Sequence, residues 1–212
     1  MDYFDEFGFK TPKQQRAKKA IDDIVESLEQ LAQSEDLTQI TTRNLSDVSG
    51  YALGTIFHHF KKFDDIFIYT FLIRRRKAIL YMVDIISQHP AEQPLSVLVS
   101  NLHNSYFYQL SRPNRKTLVF FMRHFFKHTK SPELINIEID SLIPYWITAS
   151  QLDKTNTIYN FRENELKLRF RAIQSLVRSP FFENDPIAGT EEHKDIAFKL
   201  FMQLFTTPDL IE

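Results

Sequence analysis

The chain contains no cysteine. That rules out disulfides, thiolate nucleophiles and cysteine-bound zinc, and it accords with a cytoplasmic protein, the location expected here. Glycine is nearly as scarce, with four in 212 residues. Phosphate-cradling loops and the turns of sheet proteins both draw on glycine's freedom at positive φ. The count therefore predicts an all-α fold and argues against a glycine-rich nucleotide site. No run of about eighteen apolar residues occurs, so no membrane helix is predicted. The first twenty residues are acidic and then basic, without an apolar stretch of signal-peptide length. Neither sign of charge prevails. The formal net charge is −1, so any basic surface for nucleic acid has to be local.

What the chain does have is apolar mass. Hydrophobic residues make up 43% of it and phenylalanine alone accounts for twenty positions. A packed globular fold with a large aromatic core, or an aromatic cavity, is expected.

Residues 1–11 read as a tail. A helix is predicted from Thr11-Pro12, since proline suits a first helical turn, and Ile21, Ile24, Val25, Leu28, Leu31 and Ala32 recur at helical spacing. Lys13, Arg16, Lys18 and Lys19 crowd its start, where the helix dipole favours anions. They form either a solvated face or a face that meets phosphates. Thr42 is the expected N-cap of a short helix carrying Leu45 and Val48. Gly50 follows, and a second short helix holds Thr55, Ile56 and Phe60. A long apolar helix is predicted from Phe63 to about Gln88, then others over about 95–110, from Pro113 to about His128, from Ser131-Pro132-Glu133 to about Gln151 with a kink at Pro144, near 156–178 and over 191–205. Ser179 to Gly189 reads as a loop.

The stretch 42–60, TRNLSDVSGYALGTIFHHF, carries the most information. Two short helices joined by a tight glycine turn are too small to bury a core alone. They fit a helix-turn-helix leaning on a preceding helix, with Leu45, Val48, Ile56 and Phe60 facing that helix and the residues from Tyr51 to Phe57 projecting outward. The segment resembles the DNA-binding region of the tetracycline-repressor (TetR) family in Thr42-Arg43, Ser49-Gly50-Tyr51-Ala52 and Gly54-Thr55-Ile56-Phe57-His58-His59-Phe60, and the likeness extends over about residues 12–72. The resemblance implies a three-helix DNA-binding domain over residues 1–62 and a larger helical ligand-binding and dimerisation domain over 63–212. It implies Thr55 and His58 at the phosphate backbone, Tyr51, Ala52, Leu53 and Gly54 near base edges, and Thr42 and Arg43 at the backbone or groove edge. The chain departs from the family pattern at Phe57, where a tyrosine is usual, at Ala52, where a serine cap is usual, and at Phe63, where a lysine is usual. Lys61 and Lys62 stand beside Phe63 and are expected to supply the charge.

By the same resemblance the partners are double-stranded DNA with a palindromic operator, a second copy of the chain, and a small apolar or aromatic effector that releases a repressor. Candidate effector contacts are His103, Phe107, Phe121, Arg123, Phe125 and Trp146, drawn from an aromatic-rich middle that reads equally as ordinary core. The dimer interface is expected from Leu166, Phe170, Ile173 and Val177, spaced four, three and four apart, together with Leu200, Phe201 and Leu204 of a helix apolar almost all round. His124 and His128 share a helix face at zinc-binding spacing. With no carboxylate at helical spacing and Lys127 beside them, they read as a solvated basic face, and no metal or cofactor is expected. Arg74, Arg75, Arg76 and Lys77 point all round a helix and form no stripe. No phosphate loop, nucleophile elbow or metal motif points to an enzyme. The alternative classes are a helical protein-binding adaptor and, less favoured, an enzyme.

Overall fold

A computed structural model describes residues 7–9, 12–34, 37, 40–111, 115–129 and 135–206. Within them the chain is helical: α1 Gln15–Ser34, α2 Thr42–Ser49, α3 Leu53–His59, α4 Phe63–Ser87, α5 Leu95–Ser111, α6 Arg115–His128, α7 Ile135–Asp140, α8 Ile143–Leu152, α9 Glu163–Glu183 and α10 Glu191–Thr206. No strand occurs among the described residues. No helix there is long and apolar enough to cross a membrane. The tail over 1–6, Thr11, Pro113 and the Ser131-Pro132-Glu133 cap lie outside the described residues.

Two compact units emerge. The first comprises the described residues up to Arg75 together with α6. The second runs from Arg76 through α5 and resumes at Ile135. The division differs from the one expected after residue 62, because α4 contributes to both units and α6 belongs with the first. Ring packing explains this: Phe67 of α4 lies 5.8 Å from Phe121 of α6, and Phe71 lies 5.1 Å from Phe125.

In the first unit α1 buries Ala20, Ile21, Ile24, Val25, Leu28, Leu31 and Ala32, the face its periodicity predicts. Its far end is tied down twice. The buried Thr117 hydroxyl of α6 donates to the Ala32 carbonyl at 2.8 Å, and Arg74 of α4 pairs with Glu29 while lying over the Phe121 ring.

The second unit is built on α5, α9 and α10. The rings of Trp146, Phe170 and Phe205 meet at centroid distances of 4.5–5.5 Å. The segment between α8 and α9, expected to be helical from 156, is instead a loop organised by one carboxylate. Asp153 accepts hydrogen bonds from the Thr155, Thr157 and Ile158 amides, each at 2.8 Å. Burial opposes charge on Asp153, but these donors and the Thr155 hydroxyl outweigh it and hold the carboxyl below its ordinary range. Thr157 in turn accepts from the Leu95 amide at 2.8 Å and caps α5. Around Pro144 two helices occur in place of one kinked helix. Leu142 turns the chain, and proline sits in the first turn of α8, where a missing N–H costs nothing. Pro180 lies inside the last turn of α9, so the loop expected from Ser179 starts only at Asn184, which closes the helix in the left-handed conformation at φ 56°.

Candidate nucleic-acid interface

Helix α2 is capped by Thr41, one residue before the expected cap. The Thr41 hydroxyl accepts from the Asn44 amide at 3.3 Å, and the Asn44 side chain accepts from the Thr41 amide at 2.7 Å. This reciprocal pair satisfies two amides that the first helical turn leaves without partners. Thr42 becomes the first helical residue and Arg43 is exposed beside it. The helix ends at Gly50, whose φ of 71° and ψ of 6° place it in the left-handed region that glycine alone enters freely. The Ser46 hydroxyl then donates to the Tyr51 carbonyl at 2.7 Å and fixes the turn.

Helix α3 follows without a side-chain cap, since Ala52 has no oxygen to offer. Leu45, Ile56 and Phe60 are buried as predicted. Val48, expected inside, is 46% exposed, because α2 turns only Leu45 fully toward α1. The outward side of α3 carries Leu53, Gly54, Phe57 and His58, all exposed, with Lys61 and Lys62 exposed just after it and Thr55 half-buried. Leu53 and Phe57 are 42% and 41% exposed, so the surface that would face a groove is unusually apolar. The His58 and His59 rings lie 5.2 Å apart, and burial, then the neighbouring His58, pushes the His59 imidazole below its ordinary value. The Lys62 amide donates to the Asp65 carboxylate at 3.0 Å, which caps α4.

Tyr51 does something the sequence did not show. Its hydroxyl donates to the Asp23 carboxylate of α1 at 2.9 Å, and Lys19 pairs with the same carboxylate at 3.0 Å. Lys19 first and Tyr51 second hold the Asp23 carboxyl below its ordinary range. The phenol expected near base edges thus also ties the turn to the first helix. Only its partner's position, twenty-eight residues away, could have revealed this.

At the start of α4, Asp64 meets two histidines of α6. His124 Nε2 lies 2.8 Å from Asp64 Oδ1, and His128 Nδ1 lies 3.8 Å from Asp64 Oδ2. Burial, then His128, lowers the His124 imidazole from its ordinary value, against the pull of Asp64.

The expected effector residues are divided between the units. Phe121, Arg123 and Phe125 belong to the first, and His103, Phe107 and Trp146 to the second. His103 is buried, its Nε2 donates to the Lys194 carbonyl at 2.9 Å, and its ring packs tilted against Phe107 at 4.7 Å. Arg123 is exposed, whereas Phe121, Phe125 and Trp146 are fully buried. The expected dimer stripe is largely covered by its own chain. Leu166, Phe170, Ile173, Val177 and Phe201 are all buried within a single chain, because Phe170 and Phe201 pack on Phe205 and spend that face on the chain's own core. Leu200 is exposed and Leu204 half-buried. The apolar groups left outside are Leu168 of α9, 68% exposed, and Ile196 and Leu200 of α10.

A short glycine-closed helix packed on α1, a turn strutted to α1 and a second short helix with an outward face define a helix-turn-helix protein. No protein-family model matches the sequence and no curated protein matches it. Solved structures do. The chain is similar to a TetR family transcription regulator from Marinobacter aquaeolei VT8, with a TM-score of 0.53 at 15% identity over 90% of this chain and 97% of that one. It is also similar to the TetR family repressor AlkX from Dietzia sp. strain DQ12-45-1b, implicated in biodegradation of n-alkanes, with a TM-score of 0.55 at 15% identity over 87% and 96%. The chain has the fold of TetR-family transcription regulators.

Proposed function

We propose that this chain is a DNA-binding transcriptional regulator rather than an enzyme or an adaptor, acting as a dimer on a palindromic operator. The observation that carries the reading is the outward face of α3, where Leu53, Gly54, Phe57 and His58 stand exposed and Lys61 and Lys62 follow. A helix presented this way inserts its side chains into a major groove, and the lysines and the hydroxyl of Thr55 reach phosphates. The apolar Leu53 and Phe57 favour contact with thymine methyl groups over hydrogen-bonded readout. The second copy covers Leu168, Ile196 and Leu200, with Ala172 and Ser175 continuing the exposed stripe of α9 at spacings of four and three. A repressor released by an apolar or aromatic effector is the regulatory form that best suits the aromatic interior.

The test is a gel shift with the DNA flanking the chain's own gene. Binding should be specific and should weaken steeply between roughly 50 and 200 mM salt, as phosphate contacts require. Lys61→Ala with Lys62→Ala should lower affinity and flatten the salt slope by about one unit per lost contact. Salt-insensitive binding, or none on any flanking fragment, would turn the reading toward the adaptor.

A further inference from the structure

We propose that Asp64, His124 and His128 form a binding site for a divalent transition-metal ion of the zinc class, clasping the start of α4 to the end of α6. The two imidazoles stand four residues apart on one face of α6, with ring centroids 4.3 Å apart. The carboxylate comes from another helix, sixty residues away in the chain. One ligand atom from each residue lies within 4.8 Å of the others. Donors around a tetrahedral zinc ion are roughly 3.3 Å apart when each bond is about 2.0–2.1 Å. The contacts of 2.8 Å and 3.8 Å to Asp64 bracket that value, so small side-chain rotations would centre an ion.

Two further features favour an ion over a plain Asp–His pair. The second imidazole faces the other oxygen of the same carboxylate at 3.8 Å, too far for a hydrogen bond yet close enough to share an ion with it. The surroundings also suit a bound ion. The His124 ring packs against Phe67 at 4.7 Å and Phe120 at 5.9 Å, which limits its rotation, while Asp64 and His128 stay partly open to solvent. That leaves an entry path and a fourth position for water. Two nitrogen donors and one oxygen select zinc, nickel or cobalt over magnesium or calcium. Asp64 sits in the first turn of α4, two residues after Lys62, where the chain leaves α3. A bound ion would therefore stiffen the segment carrying Lys61 and Lys62. The site does not depend on the DNA-binding reading.

The experiment uses the full chain freed of metal by a chelator and titrated with Zn²⁺ by calorimetry, then with Co²⁺ by absorption. One equivalent per chain should bind at micromolar concentration or below, and Co²⁺ should show the intense d–d bands of a low-coordinate nitrogen–oxygen site. His128→Gln and Asp64→Asn should each weaken binding at least tenfold, since even outer-sphere changes cost about 10–100-fold. The double variant His58→Gln, His59→Gln should bind as the parent does. His128 is exposed and Asp64→Asn retains an oxygen that can accept from His124, so circular dichroism should show both variants folded. Binding that persists unchanged in His128→Gln and Asp64→Asn, or that needs millimolar Zn²⁺, overturns the proposal.

Discussion

The Tyr51 hydroxyl donates to the Asp23 carboxylate at 2.9 Å, joining the turn of the helix-turn-helix to the helix behind it. Tyr51→Phe removes this strut without changing shape. DNA affinity should fall severalfold while far-UV circular dichroism stays the same. The strut is also pH-sensitive. Lys19 and Tyr51 hold the Asp23 carboxyl below its ordinary value of 3.8, so the contribution is complete above that pH and is lost as pH falls through the lower folded-state value. Acid titration by NMR of the Asp23 carboxyl should show the downward shift in the parent and a smaller one in Tyr51→Phe.

Gly50 should be costly to replace. No atom lies within 4 Å of a Cβ built there, so the penalty of Gly50→Ala is conformational alone, about 1–2 kcal/mol for forcing a side chain into the left-handed region. Gly50→Asn should cost less, because asparagine tolerates that conformation. Thermal or urea unfolding of the three proteins measures the order, and equal stabilities would show that the turn relaxes.

His103 should make stability fall in mild acid. Burial, its largest influence, lowers the imidazole from its ordinary value of 6.5, against the hydrogen bond to Lys194. Below pH 6.5 the unfolded chain takes up a proton that the folded chain does not. The contribution is therefore present above 6.5 and lost as pH falls toward the folded-state value. His103→Asn should flatten the profile of unfolding free energy against pH in that window. A profile matching the parent's would place the sensitivity at another histidine.

Charged substitutions should separate core from interface. Phe170→Asp or Phe201→Asp buries a carboxylate among aromatic rings and should unfold the second unit. Leu168→Asp or Leu200→Asp alters groups that a single chain leaves exposed, and should give a folded monomer by sedimentation and circular dichroism. A folded dimer in both of the latter would move the interface elsewhere.

Much of the helix-turn-helix was legible in residue order. Gly50 needs a left-handed turn, Leu45, Ile56 and Phe60 fall on one side, and the apolar spacing of α1 names its buried face. Misjudged features were those with competing local solutions. Thr41 and Thr42 are equally good caps until Asn44 is seen to reciprocate with Thr41. Pro144 reads as a kink until the chain turns just before it.

Local physics, then, made the chain helical and set where its helix-turn-helix lies, because propensity, capping and 3.6-residue periodicity act over a few neighbouring residues. Tertiary packing decided which face of α9 turned inward: Leu166, Phe170, Ile173 and Val177 are buried within the chain, with Phe170 against Phe205 of α10. It also decided that Tyr51 would serve Asp23 and that Asp64 would join His124 and His128. Those partners lie twenty-eight and sixty residues apart, and no local rule connects positions so distant until folded helices bring them side by side.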